Sequence, residues 1–281
     1  MSRLSLALAL ALALALPPAV AAADETAAQA CEDHIDDPLP MGWRESGIDA
    51  PRSGCLHADV GADLSGRALI DTPDFYGTLG GDLTLRVRIT DSDHFEWGFA
   101  LRALDAVFVQ NAVLTVDELG YGPISAHAAL GGRHTLGGKP MARAFYARLE
   151  APFTRSRLDG SSGALQLGAA GTWLVAEFVR LHGHASALGW YASSNGGRDG
   201  RAAVGSSIDV SVRLYGWLSV SGGADVQLGW YGVGLDHVAV RAGAHWRVKG
   251  LWRTQLVAGL PLAGAERPDV AFSLGVRRDL D

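Results

Sequence analysis

From residue 81 onward the chain alternates apolar and polar side chains at every second position. Phe95, Trp97, Phe99 and Leu101 fall on one side of a strand, with Glu96, Gly98, Ala100 and Arg102 on the other. Leu83, Leu85, Val87 and Ile89 oppose Thr84, Arg86, Arg88 and Thr90 in the same way. Later runs repeat the pattern. Val204, Ile208, Val210, Val212 and Leu214 face away from Asp209, Ser211 and Arg213. Leu218 to Trp230 sets even apolar positions against Ser219, Ser221, Asp225 and Gln227. Val238 to Val248 sets them against Arg241, Gly243, His245, Arg247 and Lys249. Val270, Phe272, Leu274 and Val276 oppose Ser273, Gly275 and Arg277. Successive side chains of a strand point to opposite faces, so each run has one apolar and one polar face. A helical repeat would place Arg and Asp in the apolar stripe.

The runs are long, commonly 9–14 residues, against about 5–6 for ordinary globular strands and about 9–11 for a tilted membrane strand. Twelve strands are expected, at 81–90, 94–103, 105–116, 121–132, 140–151, 163–175, 178–191, 201–215, 217–230, 236–248, 251–260 and 269–278. The expected range is 10 to 14, because residues 56–65 also alternate and offer a further strand with Cys55 at its base. Tight joins are expected near Leu104-Asp105, Ala176-Glu177, Tyr215-Gly216 and Lys249-Gly250, and longer loops at 152–162, 192–200 and 261–268. The Gly-rich 133–139 segment stands where a tight turn belongs and reads as a longer loop. An even number of strands with short and long connections in alternation is the plan of an up-and-down barrel. The expected fold is all-β: a closed antiparallel transmembrane β-barrel over residues 55–281.

Composition supports a barrel. Gly counts 36 and mean hydropathy is +0.12, yet beyond the N-terminus there is no long apolar run. A chain can then sit in a bilayer only if strands close on themselves and satisfy every backbone group between them. Trp97, Trp173, Trp190, Trp217, Trp230, Tyr231, Trp246 and Trp252 fall mostly toward strand ends, where an interfacial girdle belongs.

The N-terminus reads as an address. Arg3 is followed by an almost unbroken Leu/Ala run to Leu16, then Pro17, Pro18 and small residues to Ala23. That is the pattern of a cleaved secretory signal over residues 1–23, too short for a membrane span. Residues 24–54 are acidic and broken by Pro and Gly, which predicts a periplasmic leader without regular structure. Residues 24–80 carry 12 acidic and three basic residues, whereas residues 81–281 carry 18 and 20. Cys31 and Cys55 are the only cysteines, and in an exported protein the pair suggests one disulfide.

The sequence resembles outer-membrane β-barrel proteins of Gram-negative bacteria, on pattern across residues 55–281. The Leu256–Gly275 stretch, with its Pro/Gly loop leading into Val-Ala-Phe-Ser-Leu-Gly-Val, looks like the closing hairpin of small transporter-like barrels named for phenol-degradation clusters. The resemblance implies an outer-membrane location, contact with outer-membrane lipids and handling by the barrel-insertion machinery. Such barrels usually finish on an aromatic residue, whereas this chain finishes Arg277-Arg278-Asp279-Leu280-Asp281.

No catalytic constellation emerges, and the chain is read as a non-enzyme without cofactor, metal or nucleic-acid partner. His182 and His184 share a face and would need a third ligand to hold a metal; they read as polar lumen residues. Ser125 and His127 share a face with no acid in sequence reach. The residues expected to line the lumen are Arg86, Arg88, Glu96, Arg102, Arg180, His182, His184, Asp209, Arg213, Asp225, Arg241, His245, Arg247 and Arg253. Arg148, Lys249, Arg277 and Glu150 fall on the same polar face. Basic residues outnumber acidic ones on that face, which points to a passive channel or small-solute transporter with a mildly basic lumen. The alternatives are a closed anchoring barrel without transport and, third, a barrel enzyme acting on lipid. Neither the solute nor the oligomeric state is legible. The acidic leader either is solvated or lies in the barrel mouth as a plug.

Overall fold

The computed structural model describes residues 55–56, 58–69, 75–88, 95–110, 114–120, 124–151, 161–194, 197–229, 234–248, 251–264 and 270–280. Thirteen antiparallel strands follow one another: β1 (Asp59–Leu69), β2 (Phe75–Arg88), β3 (Phe95–Gln110), β4 (Leu114–Gly120), β5 (Ile124–Leu136), β6 (Lys139–Ala151), β7 (Ser161–Ala176), β8 (Val179–Ser194), β9 (Gly197–Tyr215), β10 (Leu218–Gly229), β11 (Gly234–Val248), β12 (Trp252–Ala263) and β13 (Val270–Asp279). Apart from β4 and β5, each pairs with its sequence neighbours, and β1 pairs with β13, so the sheet closes. β4 and β5 share one edge of β3: Asp105 pairs with Gly120 and Leu101 with Ile124, in continuous register. They occupy one strand position in succession, so the thirteen strands of the described residues fill twelve places in the ring.

The allocation of strands differs from the sequence expectation in two places. The alternating stretch at 56–65 is a full strand, β1, and it is the one that seals the barrel against β13. The expected turn at Leu104-Asp105 does not exist, because β3 runs straight through it. Gly81 pairs with Leu104 and Asp82 with Arg102, so Ala103 is the extra residue of a β-bulge. A bulge interrupts the alternation without ending the strand, and it imitates a turn in the sequence.

Turn chemistry fixes one end of the barrel. β5 and β6 are joined by Gly137 and Gly138, with φ of 59° and 75°. Positive φ at both central residues is the primed hairpin turn, which glycine adopts without steric cost. The 133–139 segment is therefore mostly strand, with a two-residue turn rather than the longer loop expected. The connections Glu177-Phe178 and Gly216-Trp217 lie at the same end, together with the start of β1 and the end of β13. Tyr215, Phe178, Trp217 and Trp252 are exposed there. Tyr215 stacks on Trp217 with ring centroids 5.8 Å apart, and the Arg278 guanidinium lies 5.9 Å from the Trp252 ring.

Burial is inverted relative to a water-soluble protein. Leu130, Leu149, Leu165, Leu167, Ile208, Leu256 and Leu260 are exposed on the outer face. The inner face buries Asp59, Asp63, Glu96, Arg180, Asp209 and Arg241. Water cannot drive apolar side chains outward around a whole ring, whereas a hydrocarbon surround requires it.

Candidate functional site

The lumen is a set of polar pairs laid around the wall. Because side chains alternate, every inward residue stands in a row with inward residues of the neighbouring strands. Asp209, Gly223 and Arg241 form one such row on β9, β10 and β11. Arg241 Nε donates to Asp209 Oδ1 at 2.7 Å, and its Nη1 lies 3.0 Å from Asp225 Oδ2. Near the turn end, Arg253 Nη2 donates to Asp59 Oδ2 at 2.9 Å and also reaches Asp279. Arg277 Nη2 donates to Asp63 Oδ2 at 2.7 Å. Glu96 accepts from or pairs with His127 Nε2 at 2.8 Å, and Arg148 donates to Glu150 at 3.3 Å. His127 thus has an acid partner after all, 31 residues away in sequence and on the next strand of the ring.

The two histidines of β8 point to different partners. His182 lies between Thr172 and Ser211, with Nδ1 3.0 Å from Thr172 Oγ1 and Nε2 2.9 Å from Ser211 Oγ. His184 lies parallel to Tyr146, ring centroids 5.7 Å apart, and bonds to its hydroxyl. The hydroxyls that bond them stand on different strands, Thr172 on β7 and Ser211 on β9 for His182 and Tyr146 on β6 for His184.

The other expected lumen residues are placed as follows. Arg102 and Arg180 are buried, Arg213 and His245 are half-buried, and Arg247 is exposed at the turn end. Arg86 pairs with Asp59 and Arg88 with Glu96 in backbone register, while their side chains lie outside the described residues. Cys55 is buried; Cys31 and the acidic leader lie outside the described residues.

The deeply buried charges of the inner face include acids that the sequence reading did not place in the lumen. Buried on the inner face are Asp59, Asp63, Glu96, Glu150, Asp209 and Asp225, against Arg102, Arg148, Arg180, Arg241 and Arg277. Among the described residues the fully buried charges nearly balance, and Arg213, Arg247 and Arg253, less deeply buried, add to the basic side. Asp59 and Asp63 were missed because they sit on β1. The signal was present in their alternation with Val60, Ala62 and Leu64.

Leu56 was missed too. It is 4% exposed and packs with Ala129, Ala144 and Tyr146 on the inner faces of β5 and β6. A Cβ added to Gly131 would lie 2.8 Å from the Leu56 side chain. The chain therefore enters β1 from inside the lumen, several strands round from β1 itself.

No family profile matches the chain, and no curated protein sequence matches it. Among solved structures, the COG4313 outer membrane channel from Pseudomonas putida F1 superposes with a TM-score of 0.64 at 14% identity, over 79% of this chain and 95% of that one. The fold is that of outer-membrane β-barrels. The translocator domain of autotransporter NalP from Neisseria meningitidis (TM-score 0.48, 14% identity, 80% and 88% covered) and the KdgM porin (0.45, 8%, 79% and 99%) also match. The barrel shares the channel's architecture nearly end to end, with little of its sequence.

Proposed function

We propose that this barrel sits in the outer membrane and passes small solutes without catalysis. The observation that carries the reading is a closed ring of strands, apolar outside and charged inside. Polar groups on the inner face of a closed barrel have a use if water and solute run past them. The solved channel that shares the architecture supports the same direction. Residues 1–23 act as the export signal, the barrel contacts outer-membrane lipids directly, and the insertion machinery places it.

The acidic leader, residues 24–54, serves as a plug in the turn-end mouth. What supports this is the burial of Cys55 and Leu56 inside the barrel wall, immediately after the leader. A disulfide from Cys31 to Cys55 would tether it there.

One alternative has an observation of its own. The inward charges are paired and buried, as they would be in a closed anchoring barrel. Planar-bilayer recording of the purified full-length protein decides between them. Discrete conductance steps are expected for the channel; a folded barrel that inserts and gives no steps overturns it.

A further inference from the structure

A second feature of the lumen lies at the turn end, between β10 and β13. Arg247 pairs with Arg253 across β11 and β12, and Arg253 pairs with Arg277 across β12 and β13. Three neighbouring strands therefore supply three arginines in one row. Their backbones are roughly 4.8 Å apart from strand to strand. Like charges directly opposite on a sheet repel, so such a row needs anions near it. The chain supplies some: Asp59, Asp63 and Asp279 hold Arg253 and Arg277 from the β1 side.

The other side of the row faces a cavity of about 50 Å³. The next row inward, Ser219, His245 and Gln255 in direct register, completes the wall. The polar groups of the lining are three arginines, a histidine, an amide and two hydroxyls, with no carboxylate among the described residues that line it. Gln255 is 6% exposed, and its Nε2 is a buried donor with no hydrogen-bond partner among the described residues. A buried donor without a partner costs roughly 1–3 kcal/mol, and a bound acceptor removes that cost. The volume exceeds what a single water needs, about 10–15 Å³.

We propose that this cavity binds a small oxyanion, a carboxylate or phosphate group presented from the lumen. The guanidinium fork matches two oxygens of such a group, which chloride does not offer. Gln255 and Ser219 supply neutral donors beside it. Its use as a station for passing solutes rests on the channel reading; the binding itself does not.

Calorimetric titration of the full-length protein in detergent with acetate, and separately with inorganic phosphate, tests the site. Saturable heat in the millimolar range is expected with at least one of the two, and none with sodium chloride at equal ionic strength. Arg247→Gln and Gln255→Leu should each weaken binding about tenfold, while Ser207→Ala, elsewhere in the lumen, should leave it unchanged. If those two variants fail to fold, Arg247→Lys and Ser219→Ala replace them, with losses of several-fold expected. Absence of saturable heat in the native protein overturns the site, as does equal affinity in the folded variants. Saturable binding without bilayer conductance would sink the channel reading and leave the site standing.

Discussion

Asp209 and Arg241 stand on either side of Gly223 and bond to each other over it. A Cβ at Gly223 would fall 1.9 Å from Asp209 Oδ1. The glycine is therefore the spacer that lets strands two apart join hands. The arrangement recurs where Tyr146 lies over Gly168 to reach His184; Asp63 and Gln255 also crowd Gly275 from the strands on either side of it. Gly223→Ala should lower stability by about 3 kcal/mol, since separating a buried pair costs roughly 3–5 kcal/mol and overpacking roughly 1–3. Gly222→Ala points outward, where the nearest atom is 3.8 Å away, and should change stability by under about 0.5 kcal/mol. Urea unfolding in lipid vesicles measures both, and equal losses would discard the spacer argument.

The outer face makes a separate prediction. Leu256 is 47% exposed and stands in register with Leu274, which pairs with Leu64. Leu256→Arg should cost roughly 2–4 kcal/mol in a bilayer, as a cation at mid-depth does. In a soluble protein the same change on an exposed leucine would be nearly neutral. Unfolding of Leu256→Arg in vesicles checks this; an unchanged midpoint would remove the outer face from the membrane.

Much of this was legible because period two is a strong signal over long strands. The residues of β11 and β13 could be assigned to faces from sequence alone. What escaped was whatever broke the period or bridged distant segments. The bulge at Ala103 stopped the alternation inside β3 and passed for a turn. β1 lies apart from the other runs, so its aspartates were not counted with the lumen charges. The Glu96–His127 and Arg253–Asp59 pairs, 31 and 194 residues apart, depend on strand register around a closed ring. That register is set by bulges and turn lengths, which composition does not report.

The β5–β6 turn is a local test of register. Gly138 has φ of 75°, a region that costs a side-chain-bearing residue roughly 1–2 kcal/mol. Gly138→Val should destabilise by at least that amount, because a β-branched residue is among the worst at positive φ. Gly137→Asn should be tolerated, since Asn-Gly is a favoured pair in such turns. Thermal unfolding of the two variants separates them, and similar midpoints would contradict the turn assignment.

The last prediction concerns the mouth. Leu56 sits against Gly131, Ala129, Ala144 and Tyr146 on the inner wall, just after the end of the leader, and this contact is what supports the proposed plug. Removing residues 24–54 takes away the acidic chain that precedes this contact but keeps Leu56 and every strand. Single-channel conductance should rise several-fold. It should also become less sensitive to reductant, if a Cys31–Cys55 tether holds the leader in place. Leu56→Asp in the full-length chain should act in the same direction, because an unpaired carboxylate is expelled from an apolar socket. Conductance unchanged by both alterations would mean that the leader lies outside the pore, with Leu56 serving only to pack β5 against β6.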